Sequence, residues 1–175
     1  MKNILLPVLF LSLLCQTSLM AQDKATVKFQ IKNFGLNVLG SFEEVRITPS
    51  IDLSQLNTST LVSEIQVTSI KTGNGKRDTH LRSADYFEVE TYPTIRLVAK
   101  KIIEISPGRY NMTGALTIKK TTKEVVIPLK ITQQQNQLSL AAEFTINRRD
   151  FDVGGNSWVM GDIVKIKVTY QGENG

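Results

Sequence analysis

Apolar and polar residues alternate with a period of two over most of this chain. In Ala25–Asn33, Val27, Phe29 and Ile31 share one face, and Lys28, Gln30 and Lys32 share the other. The same alternation runs through Tyr110–Ile118, Val125–Ile131, Leu138–Ile146 and Val164–Tyr170, and more weakly through Leu39–Leu53, Thr60–Ile70 and Thr94–Ile105. This period marks strands with one apolar and one wet face. Ser106-Pro107-Gly108 and the polar stretch Gln133–Gln137 are turn signals between consecutive strands. Pro128 has no N–H to give a ladder, so it predicts an edge, a bulge or a strand end within its strand. The pattern therefore predicts an all-β domain of about eight antiparallel strands, connected in up-and-down order. That strand number allows a barrel to close around one small ligand. A two-sheet sandwich would show the same alternation, so the pattern leaves closure open.

Two segments break the period. Lys71–Tyr92 carries Gly73, Gly75 and a charged run, and predicts a short helix around Lys76–Leu81. Asn147–Asp162 carries Arg148, Arg149, Asp150, Phe151, Gly154, Gly155 and Trp158. Irregular stretches of this length in a compact domain are commonly functional.

The N-terminus reads differently. Lys2 precedes an apolar run from Ile4 to Leu14, and a short segment then ends on Ala21. This three-part form predicts a secretory signal over 1–21, with a mature domain over 22–175 and a periplasmic or secreted location. The apolar run is interrupted by Ser12 and by Cys15–Ser18, and is too short for a span of about 20 apolar residues. Leu14 occupies the place where a lipid-anchoring cut before Cys15 needs a small residue. Cys15 is the single cysteine, so a mature chain without it has no disulfide, thiolate nucleophile or cysteine metal site.

The formal charge of +5 falls to +4 without Lys2. The basic residues alternate along strands instead of clustering, which fits a solvated exterior better than a nucleic-acid patch. Contact with an anionic membrane surface stays open, as does a homodimer through an exposed edge.

Candidate chemistry is sparse. His80 is the only histidine. As an acid, base or ligand it would have Asp78 and Asp85 nearby, but the spacing matches no ligand motif and a zinc site needs three or four ligands. Pinning of its own segment is the simpler role. Asp150, Asp152 and Asp162 read as salt-paired loop residues, since nothing nearby would raise a carboxyl pKa. There is no nucleophile elbow and no phosphate loop. The expectation is no catalytic residue, no metal and no cofactor. An enzyme using His80 as acid or base, or a protein-interaction module, are the alternatives. The aromatic residues Phe29, Phe34, Phe42, Phe87, Phe144, Phe151 and Trp158 are spread over many segments. On the residues alone they are core or channel wall, because both uses need apolar inward faces.

Several ordered motifs decide between these uses. Lys76–Glu90 with Tyr92-Pro93-Thr94-Ile95, then Gly114–Ile118 with Thr122-Lys123 and Ile127-Pro128-Leu129, then Phe144–Phe151 and Gly161–Ile166 resemble the signatures of the YceI-like family. Phe29–Lys32 and Gly40-Ser41-Phe42 fit its opening strands. The resemblance spans the whole predicted mature chain. It implies an extended, lipocalin-like antiparallel barrel around a long apolar channel that binds, stores or transports a polyisoprenoid, an isoprenoid quinone or a fatty acyl amide. It implies Phe29, Ile31, Phe42, Phe87, Phe144 and Phe151 as wall residues, with Leu81, Leu97, Met112 and Leu116 beside them. It also implies His80 and Trp158 at the ligand. Asn33 stands where that family often has histidine.

Overall fold

The computed structural model describes residues 23–175, so the signal segment expected over 1–21 lies outside the described residues. Ten strands form one antiparallel sheet: β1 Lys24–Asn33, β2 Leu36–Phe42, β3 Val45–Ser50, β4 Thr60–Gln66, β5 Ile70–Lys71, β6 Thr94–Ser106, β7 Arg109–Ile118, β8 Thr121–Gln134, β9 Gln137–Asn147 and β10 Met160–Glu173. The count exceeds eight for two reasons. The weakly alternating stretch Leu39–Leu53 is two strands, broken at Glu43-Glu44, and β5 has only two residues, too few to show a period.

The sheet order is β3-β4-β6-β7-β8-β9-β10-β1-β2-β5. It is an up-and-down meander that brings β1 back beside β10, with Phe29 opposite Ile166 and Ile31 opposite Val164. The sheet curls until its edges meet at one level. There the Glu43 N–H donates to the Ser69 carbonyl at 3.2 Å, and the Gln66 N–H donates to that of Glu44 at 3.0 Å. This is the lipocalin-like barrel the motifs imply.

One wall is split. The β8–β9 ladder runs from Gln134 back to Leu129 and stops at Pro128, which has no N–H to continue it. Pro128 still pairs with Asn111 of β7 on its other side. Above that point β8 and β9 separate, and Phe151 and Val153, both buried, fill in from the β9–β10 connection.

Two clusters make the core. One gathers Ile51, Leu61, Ile102, Tyr110, Ile131, Leu138 and Tyr170 at the end carrying the β6–β7 and β8–β9 turns. The other gathers Phe42, Val67, Ile70, Val89, Leu116, Phe151 and Val153 at the opposite end. That end is roofed by the helix α1, Gly75–Arg82, one residue longer at each end than the sequence predicts. Asn74 caps it by accepting the Arg77 N–H at 3.1 Å. Asp78 is buried beneath it and accepts from the Thr72 N–H at 2.9 Å and the Thr72 hydroxyl at 2.5 Å. No helix among the described residues is long and apolar enough to cross a membrane.

Candidate functional site: an apolar cavity under the helix

The inward faces of the strands enclose a cavity of about 200 Å³. A single water needs on the order of 10–15 Å³ by the same measure. Its wall is almost wholly apolar. From β1 come Val27, Phe29 and Ile31, from β10 Val164, Ile166 and Val168, and from β7 Met112 and Leu116. Along β9 the lining runs from Leu140 to Ile146, roughly 20 Å of strand at about 3.4 Å per residue. The cavity is therefore long and narrow. It stops above Ile131, Leu138 and Tyr170, which are 3%, 1% and 1% exposed and form a packed floor.

The polar lining residues gather at the other end. Asn33 ends β1, and Thr72, Arg77 and Arg148 border the roof; Ser63 on β4 is the exception. Arg77 donates to the Thr72 hydroxyl and the Thr72 carbonyl, both at 2.7 Å. Arg148 is 3% exposed. Its guanidinium donates to the carbonyls of Val153, Gly154, Gly155 and Gly161, each at 3.0 Å, and to Asp162 at 2.7 Å. One buried cation thus ties the whole β9–β10 connection to itself, and the paired carboxylate and carbonyls offset its desolvation. Sequence reading missed this role, since Arg148-Arg149 looks like a solvated basic pair and the carbonyls that bind it leave no side-chain signature.

Of the residues the resemblance implies at the ligand, Phe29, Ile31, Phe42, Leu81, Phe87, Leu97, Met112, Leu116, Phe144 and Phe151 line the cavity. Two do not. His80 is on the outer side of α1, because Arg77, Asp78 and Leu81 take the inward face and leave residues 76, 79 and 80 to solvent. Its Nε2 is 3.6 Å from Asp85 and its ring meets Tyr86 edge-on at 4.9 Å. Trp158 is fully exposed. It sits in a turn whose Ser157 hydroxyl accepts the N–H groups of Val159 and Met160, and no element folds over it. Asp78 is committed to Thr72, Asp162 pairs with Arg148, and Asp152 lies 4.0 Å from Lys120. Among the described residues no group of three histidines and carboxylates is placed to hold a metal.

The cavity also has lining residues that sequence reading does not assign to the ligand, among them Val38, Met160, Val164 and Ile166. Val164 and Ile166 were on a recognised apolar face, so their alternation held the signal. Val38 lies in the weak β2 pattern, and Met160 in a connection without period.

An up-and-down barrel with a solid floor, an apolar interior and a roofed, polar-rimmed mouth defines a lipocalin-like class of protein. The chain belongs to the YceI-like family, whose domain model matches residues 20–171. It is 25% identical over 187 residues to a UPF0312 protein of Ectopseudomonas mendocina, covering 98% of both chains. It is 29% identical over 136 residues to one of Pectobacterium atrosepticum, covering 74% of this chain and 70% of that one. Among solved structures, Burkholderia cenocepacia BcnA superposes with a TM-score of 0.79 at 24% identity, over 84% of this chain and 95% of that one. A polyisoprenoid binding domain from Saccharophagus degradans superposes at 0.66 with 14% identity, over 85% and 94%. At these identities the two structures bear on the fold.

Proposed function

We propose that this protein binds a long apolar lipid in the cavity, chain inward and head group under α1, and carries or stores it without chemical turnover. The observation that carries this reading is the cavity: elongated, apolar along its walls, closed at one end and, Ser63 apart, polar at the other. Each CH₂ moved from water into such a wall contributes about 0.8 kcal/mol, so a long chain gains affinity with few polar contacts, although ordering it offsets part of the gain. A polyisoprenoid, an isoprenoid quinone and a fatty acyl amide are the long apolar chains that the family resemblance puts forward for such a cavity. The polyisoprenoid-binding neighbour supports the same reading. Asn33, Thr72 and Arg77 are the groups placed to meet a head group.

The positions of the titratable groups support binding over catalysis: His80 is outside the cavity, Arg77 is held by the Thr72 hydroxyl and carbonyl, and Arg148 by carbonyls and Asp162. The work of such a carrier belongs to the periplasm or the cell exterior, which the three-part segment 1–21 supports, and includes transient contact with a membrane. Native mass spectrometry of the purified chain is expected to give a mass excess of one lipid, removed by organic solvent. A chain that carries no lipid and takes up neither a polyisoprenol nor a long-chain acyl probe overturns the reading.

A further inference from the structure

The cavity mouth carries an apolar tip. The β1–β2 turn lies beside the segment 156–160: the Phe34 N–H donates to the Val159 carbonyl at 2.8 Å, and Asn33 pairs with Met160. Of the ten large hydrophobic side chains exposed among the described residues, four lie at the turn or on this segment: Phe34, Leu36, Trp158 and Val159; Leu39 follows further along β2 and Ile163 on β10. Phe34 and Leu36 are each 73% exposed and Trp158 is 102% exposed. Within 32–39 and 155–161 the only charged side chain is Lys32.

Phe34 breaks two local rules together. Its φ is +50° and that of Gly35 is +75°, so both central residues of the two-residue turn are left-handed. Such turns favour Asn-Gly, and a bulky aromatic residue there is disfavoured by its own backbone. The ring is also held out in water. A sequence that accepts both costs at one position points to a role elsewhere.

Below the tip, one wall of the barrel carries a cationic patch. Lys28 and Lys32 on β1 and Lys165 and Lys167 on β10 are all exposed and share the outer face. Lys28 stands directly opposite Lys167, a like-charge cross-strand pair that weakens the sheet. Lys167 has Glu143 at 2.7 Å; Lys28 has no carboxylate within ion-pair distance among the described residues.

An uncharged aromatic tip above a patch of lysines matches an anionic bilayer, where aromatic side chains settle at the acyl boundary and lysines meet the phosphates. We infer that the tip formed by Phe34, Leu36, Trp158 and Val159 inserts into an anionic membrane surface. Docked there, the mouth faces the acyl layer, and a lipid chain passes into the cavity without crossing water. That last step rests on the proposed lipid binding; the docking does not.

Trp158 is the only tryptophan in the chain, so its emission reports docking directly. With vesicles of phosphatidylethanolamine and phosphatidylglycerol, the emission is expected to shift to the blue and to be quenched by lipids brominated near the carbonyl end. Pure phosphatidylcholine is expected to give a weaker response. Phe34→Asn relieves the turn, so it should melt no lower than the parent yet bind anionic vesicles roughly tenfold more weakly. Lys28→Glu with Lys165→Glu should remove the preference for anionic vesicles. Unchanged emission with anionic vesicles, or unchanged binding by Phe34→Asn, overturns the inference. A blue shift that grows with protein concentration without vesicles also overturns it, by assigning the tip to a second copy of this chain. Uptake of cis-parinaric acid in vesicle-free buffer tests the cavity separately. Uptake without docking leaves lipid binding intact and sinks the inference, and docking without uptake does the reverse.

Discussion

The two ends of this barrel are made of the same alternating strands and come out differently. On β9, Leu138 and Leu140 are buried, whereas Phe144 and Ile146, on the same face further along, are half-buried. On β10, Tyr170 is buried and Ile166 and Val164 are half-buried. On β1, the step falls between Val27 and Ile31. Alternation assigns a side chain to a face. What lies across the barrel decides whether that face is packed. At the floor, Tyr110, Tyr170, Ile131, Leu138 and Leu61 close on one another from every wall. At the mouth, the β8–β9 split at Pro128 and the long connections hold the walls apart, and the same face becomes the lining of a cavity.

The sharpest test of this contrast is to remove equivalent bulk from each end. Leu138→Ala in the floor is expected to cost about 2–5 kcal/mol, because a close-packed site relaxes little around the void. Ile31→Ala in the mouth should cost roughly 1 kcal/mol, since less area leaves contact with protein. Binding should respond in the opposite sense. Urea unfolding and acyl-probe titration of both variants decide it: Ile31→Ala should weaken the probe while Leu138→Ala, where it folds, should leave it unchanged. Equal stability losses would mean that the mouth is packed like the floor.

The strand faces behind this contrast were within reach of the sequence, the contrast itself was not, and both facts have physical causes. Strand faces were legible because burial on one side imposes the period of two, which puts Val164 and Ile166 on an apolar face without assigning them to a ligand. The turn at Ser106-Pro107-Gly108 and the strand edge that begins at Pro128 on the β9 side were legible because proline and glycine restrict the backbone itself. The roof was less so. Helix α1 could be seen, but which of its sides faces inward depends on Asp78 finding Thr72 and on Leu81 finding the cavity, both tertiary events. The resemblance implies His80 and Trp158 at the ligand, and both side chains lie in solvent instead. Arg148 acts on backbone carbonyls, and a carbonyl belongs to every residue.

A second test narrows the cavity without touching the floor. Phe29 covers Gly40 across the β1–β2 ladder, and a Cβ built at Gly40 would overlap the end of the Phe29 ring. Gly40→Ala must therefore move the end of the ring, and the space open to it is the cavity. The strand backbone and the floor keep their contacts, so the melting temperature should move only slightly. Probe affinity should fall several-fold, because a displaced ring occupies volume that the chain needs. The double variant Gly40→Ala with Phe29→Ala should recover most of the binding, which a general loosening of β2 would not allow.

The smallest effect separates the ends by pH. The Tyr170 hydroxyl, in the floor, is pushed up to about 12, first by burial and then by Asp23 and Glu173. An unfolded tyrosine ionises near 10. Between these values the unfolded chain releases the proton and the folded chain retains it, so the stability from a neutral Tyr170 is fully present below about pH 10 and is lost as pH rises through about 12. At neutral pH, Tyr170→Phe should lose only the hydrogen bond to the Glu173 carbonyl at 2.8 Å, about 1 kcal/mol. That deficit should shrink above pH 10 and then reverse, because phenylalanine does not titrate. Chemical unfolding of both proteins at pH 8, 10 and 11 measures it, and lysine titration cancels in the difference. A deficit that stayed constant with pH would mean that water reaches Tyr170, and that the barrel is open at both ends.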